Sequence, residues 1–445
     1  MGHQLILSRR EFIKAASAAG CLLPLSGVSH LAWGNSATSA GLKPNPLLVT
    51  VFLRGGADGL NLVSPVNDAD FIDARPADLR VLDSGTRAGF LLEQTEQADI
   101  GFYLHHEAPG LADLYRAKQL AVIHAVGIQD GTRSHEEAQA MIERGSTSAR
   151  HDRNAQAIPG WMSRSVATNR QNPRSIQSAS IPAYSASTIT PLSLEGINNS
   201  LITPDLNAGL NVPWGKPTFD LLREMSTVSA SATATATQTP IDAVRLAMTD
   251  ALRMQDNINQ SIARDTTGKV LPYQASGSAN YDGAGELARS FSSIARLAKM
   301  NVGLQVANVD FGGWDNHENQ SGHFANMVRQ LSKGLSAFYE DMSAGNQSVS
   351  IIVMTEFGRR VRSNKSNGTD HGHGACWFAL GDHVQGGNLF GKWPGLSSKE
   401  MDQGLDLQVT TDYRQVLFET LRASHLDTQQ ALPDFSSGRS LGLFS

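Results

Sequence analysis

Cysteine is almost absent from this chain: Cys21 and Cys376 are the only two in 445 residues. Two thiols exclude a disulfide-stapled scaffold. Charge of one sign is also scarce. A net charge of −5 and a pI near 6.2 leave no basic footprint for nucleic acid. Long hydrophobic runs are missing past residue 34, where nothing approaches the roughly 18 to 20 apolar residues of a spanning helix, so no stable membrane insertion of the mature body is expected. What is present is ordinary for a globular protein: 40% hydrophobic and 18% charged residues exclude wholesale disorder.

The N-terminus reads Ser8-Arg9-Arg10-Glu11-Phe12-Ile13-Lys14, followed by an Ala/Ser/Gly-rich apolar stretch from Ala15 to Ala32. The paired Arg9 and Arg10 ahead of Phe-Ile-Lys give the pattern of a twin-arginine leader. Residues 1–40 are therefore expected to be a cleaved signal peptide, with the twin-arginine translocase as partner during export and a periplasmic or secreted destination. Removing them leaves Cys376 without an intramolecular partner. Such export carries folded proteins, often with a cofactor already inserted, which raises the expectation of a metal.

From residue 45 to 445 we expect one α/β domain. Leu47 to Leu53 is a continuous apolar, β-branched run stopped by Arg54-Gly55-Gly56, the pattern of a buried parallel strand. Similar runs recur at Leu120 to Ala125, Leu304 to Val309, Ser350 to Thr355 and Trp377 to Leu380. Helical spacing lies between them: Phe324, Met327, Val328, Leu331, Leu335, Phe338 and Met342 form one apolar stripe, and Leu287, Phe291, Ile294 and Leu297 another. The alternation predicts a mostly parallel central sheet flanked by helices. The polar middle, about residues 164–283, reads as a helical or loop insertion, and its Ser/Thr/Ala tract at 226–240 as a flexible loop.

In an open α/β sheet, ligands bind beyond the carboxyl ends of the strands. The predicted strands lead into Gly-rich turns carrying carboxylates and imidazoles: Asp58; Arg133-Ser134-His135; Asp315-Asn316-His317; Glu356 and Arg359; Asp370-His371-Gly372-His373. Asp315 and His317 stand two positions apart, and His371 and His373 repeat that spacing; such O/N sets suit Zn²⁺ or Mn²⁺. Five histidines, His135, His317, His323, His371 and His373, lie in or beside these turns. Ser134 followed by Glu137 reads as a capping box, yet a hydroxyl at a helix N-terminus is also a place for a nucleophile or a phosphate. Arg54, Arg133 and Arg359 suit phosphate or sulfate recognition, or ion pairing with the same carboxylates. Asp58 taken alone reads more readily as a turn former.

Taken together, Leu53-Arg54-Gly55-Gly56-Ala57-Asp58-Gly59-Leu60, Gly312-Gly313-Trp314-Asp315-Asn316-His317, Thr355-Glu356-Phe357-Gly358-Arg359 and Gly368-Thr369-Asp370-His371-Gly372 resemble the bacterial domain-of-unknown-function family 1501, over Leu47 to Leu421. That family is in turn similar to the alkaline phosphatase and sulfatase superfamily. The resemblance implies an alkaline phosphatase-like fold and a divalent metal, Zn²⁺ or Mn²⁺. It implies Ser134 as nucleophile and metal ligands drawn from Asp58, Asp315, His317, Glu356 and His371; the residue pattern adds His373 as a ligand, and Arg133 and Arg359 to hold the substrate oxygens. Phe357 stands where the superfamily has a histidine, and no Cys or Ser precedes Pro and Arg in sulfatase spacing, which sets aside a formylglycine sulfatase. The implied activity is an exported, metal-dependent hydrolase of phosphate or sulfate esters acting on an anionic small molecule or a glycan-linked substrate. Alternatives are a non-catalytic exported binding module with a degenerate site, or another metalloenzyme such as an isomerase or transferase.

Overall fold

The computed structural model describes residues 46–94, 100–129, 131–147, 158–167, 181–197, 199–210, 216–227 and 240–445. The leader expected around Arg9 and Arg10, and nearly all of the 226–240 tract, lie outside the described residues. Twelve strands are described: β1 (Leu47–Leu53), β2 (Val63–Pro65), β3 (Phe90–Gln94), β4 (Gly101–Leu104), β5 (Leu120–Gly127), β6 (Ala183–Ser185), β7 (Ser200–Ile202), β8 (Val306–Phe311), β9 (Val349–Met354), β10 (Ala375–Gly381), β11 (Leu389–Phe390) and β12 (Thr411–Asp412). The α-helices are α1 (Gly59–Leu62), α2 (Ala69–Ala74), α3 (Pro109–Arg116), α4 (His135–Arg144), α5 (Trp161–Ala167), α6 (Lys216–Thr227), α7 (Pro240–Ser261), α8 (Leu287–Lys299), α9 (Gln320–Ala344), α10 (Tyr413–Ala423) and α11 (Thr428–Ala431).

Every residue of β1 is buried. A strand with no polar face must be covered on both sides, and its alternating side chains show by what. Val49, Val51 and Leu53 pack into one core with residues of α3, α8 and α9, while Leu48 and Phe52 pack into a second with residues of α4, α5 and α10. The result is an α/β fold with a mixed sheet between helical layers. Each fully buried Leu, Val or Phe contributes about 1.5–3 kcal/mol, so the central strands anchor the turns at their ends.

The main sheet runs β11-β5-β10-β9-β1-β8-β6-β7, with β12 also on β5; β2, β4 and β3 form a small separate sheet. β1 pairs in parallel with both β8 and β9. β10 is the exception, antiparallel to both β5 and β9. Its beginning therefore lies at the sheet edge where β1, β5, β8 and β9 end, with Ala375 opposite Val126. The polar middle is not helical throughout: β6 and β7 extend the sheet beyond β8. At three residues each, they are too short to carry a readable period. Among the described residues no helix is long and apolar enough to cross a membrane.

Candidate metal centre

Five turns meet at this edge: those after β1, β5, β8 and β9, and the one before β10. They approach closely enough that two positions require glycine. Gly55 has φ +120° and a Cβ there would lie 2.5 Å from the Asp315 nitrogen; Gly56 has φ +63° and a Cβ would lie 2.4 Å from the Phe357 ring. Arg359 ties the turns together from beneath. Its guanidinium, with no exposed surface, donates to the carbonyls of Gly55, Gly56 (2.6 Å), Thr369 (2.7 Å) and Trp314 (3.2 Å), and to Asp315 Oδ1 at 2.6 Å.

Above Arg359, imidazole nitrogens gather on one carboxylate oxygen. Asp315 Oδ1 lies 2.9 Å from His317 Nε2, 3.1 Å from His371 Nε2 and 3.4 Å from His135 Nε2. The His371 nitrogen is in turn 3.0 Å from His135 Nε2 and 2.9 Å from His317 Nε2. His135, Asp315 and His371 form a group that could hold a metal ion, and His317 adds a nitrogen touching two of its members. The Phe357 ring packs against His135 and His371, with centroids 4.8 and 4.9 Å away, as an apolar floor. Asp315 is exposed, so the group opens to solvent.

The other nitrogen of each ring identifies the tautomer. His135 Nδ1 is 2.7 Å from Glu356 Oε1, His317 Nδ1 is 3.3 Å from Asp370 Oδ1, and His371 Nδ1 is 2.9 Å from the Arg133 carbonyl oxygen. An ionised carboxylate and a carbonyl only accept, so each Nδ1 carries the proton and donates it outward. In the neutral rings the Nε2 lone pairs then point at one another and at a carboxylate oxygen. Lone pairs facing at about 3 Å repel unless a cation, proton or metal, lies among them.

The charges around the group agree. Burial pushes the Asp315 carboxyl up, but the Arg359 guanidinium, by hydrogen bond and by charge, helps bring it down to about 2. Burial likewise opposes the charge on Glu356, and hydrogen bonds from His135 and Gln139 outweigh it and hold that carboxyl below the usual range. Asp370 is lowered by a hydrogen bond from Asn364 and, against some desolvation, by His317. His371 is depressed, mainly by burial, whereas His135 is raised by its hydrogen bond to Glu356.

A second group, His373, Asp402 and Asp406, has the same ligand chemistry. His373 Nδ1 bonds Asp402 Oδ2 and lies 3.7 Å from Asp406 Oδ2. Here too a guanidinium reaches the shared carboxylate oxygen, and it serves one imidazole rather than three: Arg133 donates through Nε (2.9 Å) and Nη2 to that same Asp406 oxygen.

Of the residues singled out from the sequence, the structure brings together Asp315, His317 and His371, with Glu356 one layer out. Asp58 is not in the group; it caps α1 at Asn61 N and its Oδ2 accepts from Arg75 (2.6 Å) and Gln320 (2.7 Å), deep in the protein. His373 belongs to the second group. Arg133 and Arg359 are not free to clamp a substrate, the first being engaged by Asp406 and the second enclosed by carbonyls. Arg54 pairs with Asp310 and Glu143, and His323 bonds the Gly313 carbonyl. Ser134 is the N-cap of α4, exposed, and its side chain makes no capping hydrogen bond, so the capping box does not form. His135, noted in its turn but not chosen as a ligand, is the residue that sequence reasoning missed. Its signal was its place at the end of β5, on the helix that Ser134 begins.

The chain belongs to the family described as protein of unknown function (DUF1501), whose model matches residues 46–433. No curated protein matches the sequence.

Proposed function

We propose that this member of the family is an exported, metal-dependent hydrolase of phosphate or sulfate esters, with His135, Asp315, His317 and His371 as the ligands of one divalent ion. The observation that carries the reading is the convergence of three imidazole Nε2 atoms on Asp315 Oδ1, each ring with its Nδ1 proton directed at an acceptor. A donor set of three imidazoles and a carboxylate suits Zn²⁺ best and Mn²⁺ next. Bound there, such an ion supplies Lewis acidity toward an ester oxygen and lowers the pKa of a nearby hydroxyl or water.

The chain's own residues do the rest. Arg359 offsets the charge of Asp315 by donating to its Oδ1. Glu356, Asp370 and the Arg133 carbonyl hold the rings in one tautomer and one orientation. Ser134 offers an uncommitted hydroxyl at the positive end of α4, one residue before a ligand, which is the position for a nucleophile on an anionic ester. The substrate class is an anionic small molecule or an anionic group on a glycan. Arg9 and Arg10 supply the twin-arginine export signal and thus a periplasmic or secreted location.

The test is turnover of p-nitrophenyl phosphate and p-nitrophenyl sulfate by zinc- and manganese-loaded protein. The reading expects release of nitrophenol by wild type and its loss in Ser134→Ala, with the metal retained. Full metal occupancy without turnover of either ester would favour a binding module. Replacing Arg9 and Arg10 by lysine is expected to leave the protein in the cytoplasm with its leader attached; unimpaired export would remove the twin-arginine assignment.

A further inference from the structure

Two of the three imidazoles are oriented by carboxylates, but His371 relies on a main-chain carbonyl, that of Arg133, in the loop between β5 and α4. The side chain of the same Arg133 is held by Asp406. Asp406 is fully buried and is itself fixed to the segment that carries the other ligands. Its residue bridges to Arg360, Val361 N donates to the Leu405 carbonyl at 3.0 Å, and Gly374 N donates to the Leu407 carbonyl at 2.9 Å. The stretch from 405 to 407 is thus bonded on both sides of His371, at 360–361 and at 374.

We infer that Asp406 is a positioning residue for the metal centre, acting through Arg133 on His371. This inference rests on the metal-centre reading above and deepens it. Asp406 draws the guanidinium of Arg133 inward, and this registers the Arg133 carbonyl against His371 Nδ1. The lone pair on Nε2 is thereby aimed at Asp315 and at the other two rings. The ion pair links the turn after β5 to the 405–407 stretch, which is itself hydrogen-bonded to Val361 and Gly374. Asp406 touches no ligand directly and takes no part in holding substrate. It also gives a reason for the acidic residue in the second group: that group serves the first.

The test uses full-length protein, zinc competition against a chromophoric chelator, and the visible spectrum of the Co²⁺ form. Asp406→Asn is expected to keep one metal per chain but to bind zinc about 10- to 100-fold more weakly. Its Co²⁺ bands should shift as the His371 donor moves, a readout that general loosening of the fold does not predict. Arg133→Met is expected to weaken zinc to a similar degree, and the double variant to be no worse than the weaker single, because both remove one link. The unfolding temperature of each metal-free variant separates damage to the fold from damage to the site. Wild-type zinc affinity and an unchanged Co²⁺ spectrum in Asp406→Asn, with metal lost in His371→Ala, would overturn the positioning role and leave the metal centre standing. Failure of wild type to bind zinc or cobalt would overturn both.

Discussion

Two groups in this molecule contain the same chemistry, histidine with carboxylate, at the same sheet edge, and they differ in how many imidazoles share the nearest guanidinium. Around His373, Asp402 and Asp406 it is that of Arg133, which occupies the Asp406 oxygen that faces the histidine. Around His135, Asp315, His317 and His371 a single guanidinium, that of Arg359, donates to Asp315 Oδ1 and lies 3.5 Å from His317 Nε2, and it serves three imidazole nitrogens that crowd the same oxygen. The comparison teaches that ligand-type residues alone do not make a metal site. The second nitrogen of each histidine and the nearest guanidinium decide which group is left wanting an ion.

Substitutions separate the two groups. The largest effect is expected from His371→Ala, which should reduce bound zinc from one equivalent to none by elemental mass spectrometry, while His373→Ala retains it; the opposite pattern would exchange the two groups' roles. Next comes Glu356→Gln. Loss of the buried acceptor on His135 Nδ1 should weaken zinc about 10- to 100-fold in chelator competition, and an unchanged affinity would remove Glu356 from the supporting set. Arg133→Ala should destabilise the fold by about 3 kcal/mol in urea titration, because it leaves the buried Asp406 carboxylate without its main partner; a change below 0.5 kcal/mol, well inside the range of about 0–1 for surface pairs, would show that the pair is not a buried one in effect. The smallest effect is expected from Asp402→Asn. Its carboxylate is partly exposed, so metal content should not change and stability should move by less than about 1 kcal/mol.

Much of this architecture is legible in the residues. β1, β5, β8, β9 and β10 each coincide with an apolar run, because a strand buried on both faces needs no polar alternation. The direction of β10 is not readable from such a run, yet it is what brings His371 and His373 to the edge where the parallel strands end. Asp315 and His317 are legible from their spacing, since a short turn keeps both on one side. The fates of Asp58, Arg133 and Arg359 are not, because their partners are set by tertiary approach: Arg75 and Gln320 for the first, Asp406 for the second, and the carbonyls of three turns for the third. His135 escaped because its neighbour Ser134 begins a helix, a position that invites a reading as cap or nucleophile. Its imidazole at the first helical residue becomes meaningful only once β5 is placed two strands from β9.

The most direct measurement is anomalous diffraction at the metal edge from crystals of zinc-loaded protein. One strong peak is expected among His135 Nε2, His371 Nε2 and Asp315 Oδ1, with His317 beside it and no peak at His373 and Asp402. A peak at His373 and Asp402, or none at either group in fully loaded protein, would contradict the metal-centre assignment.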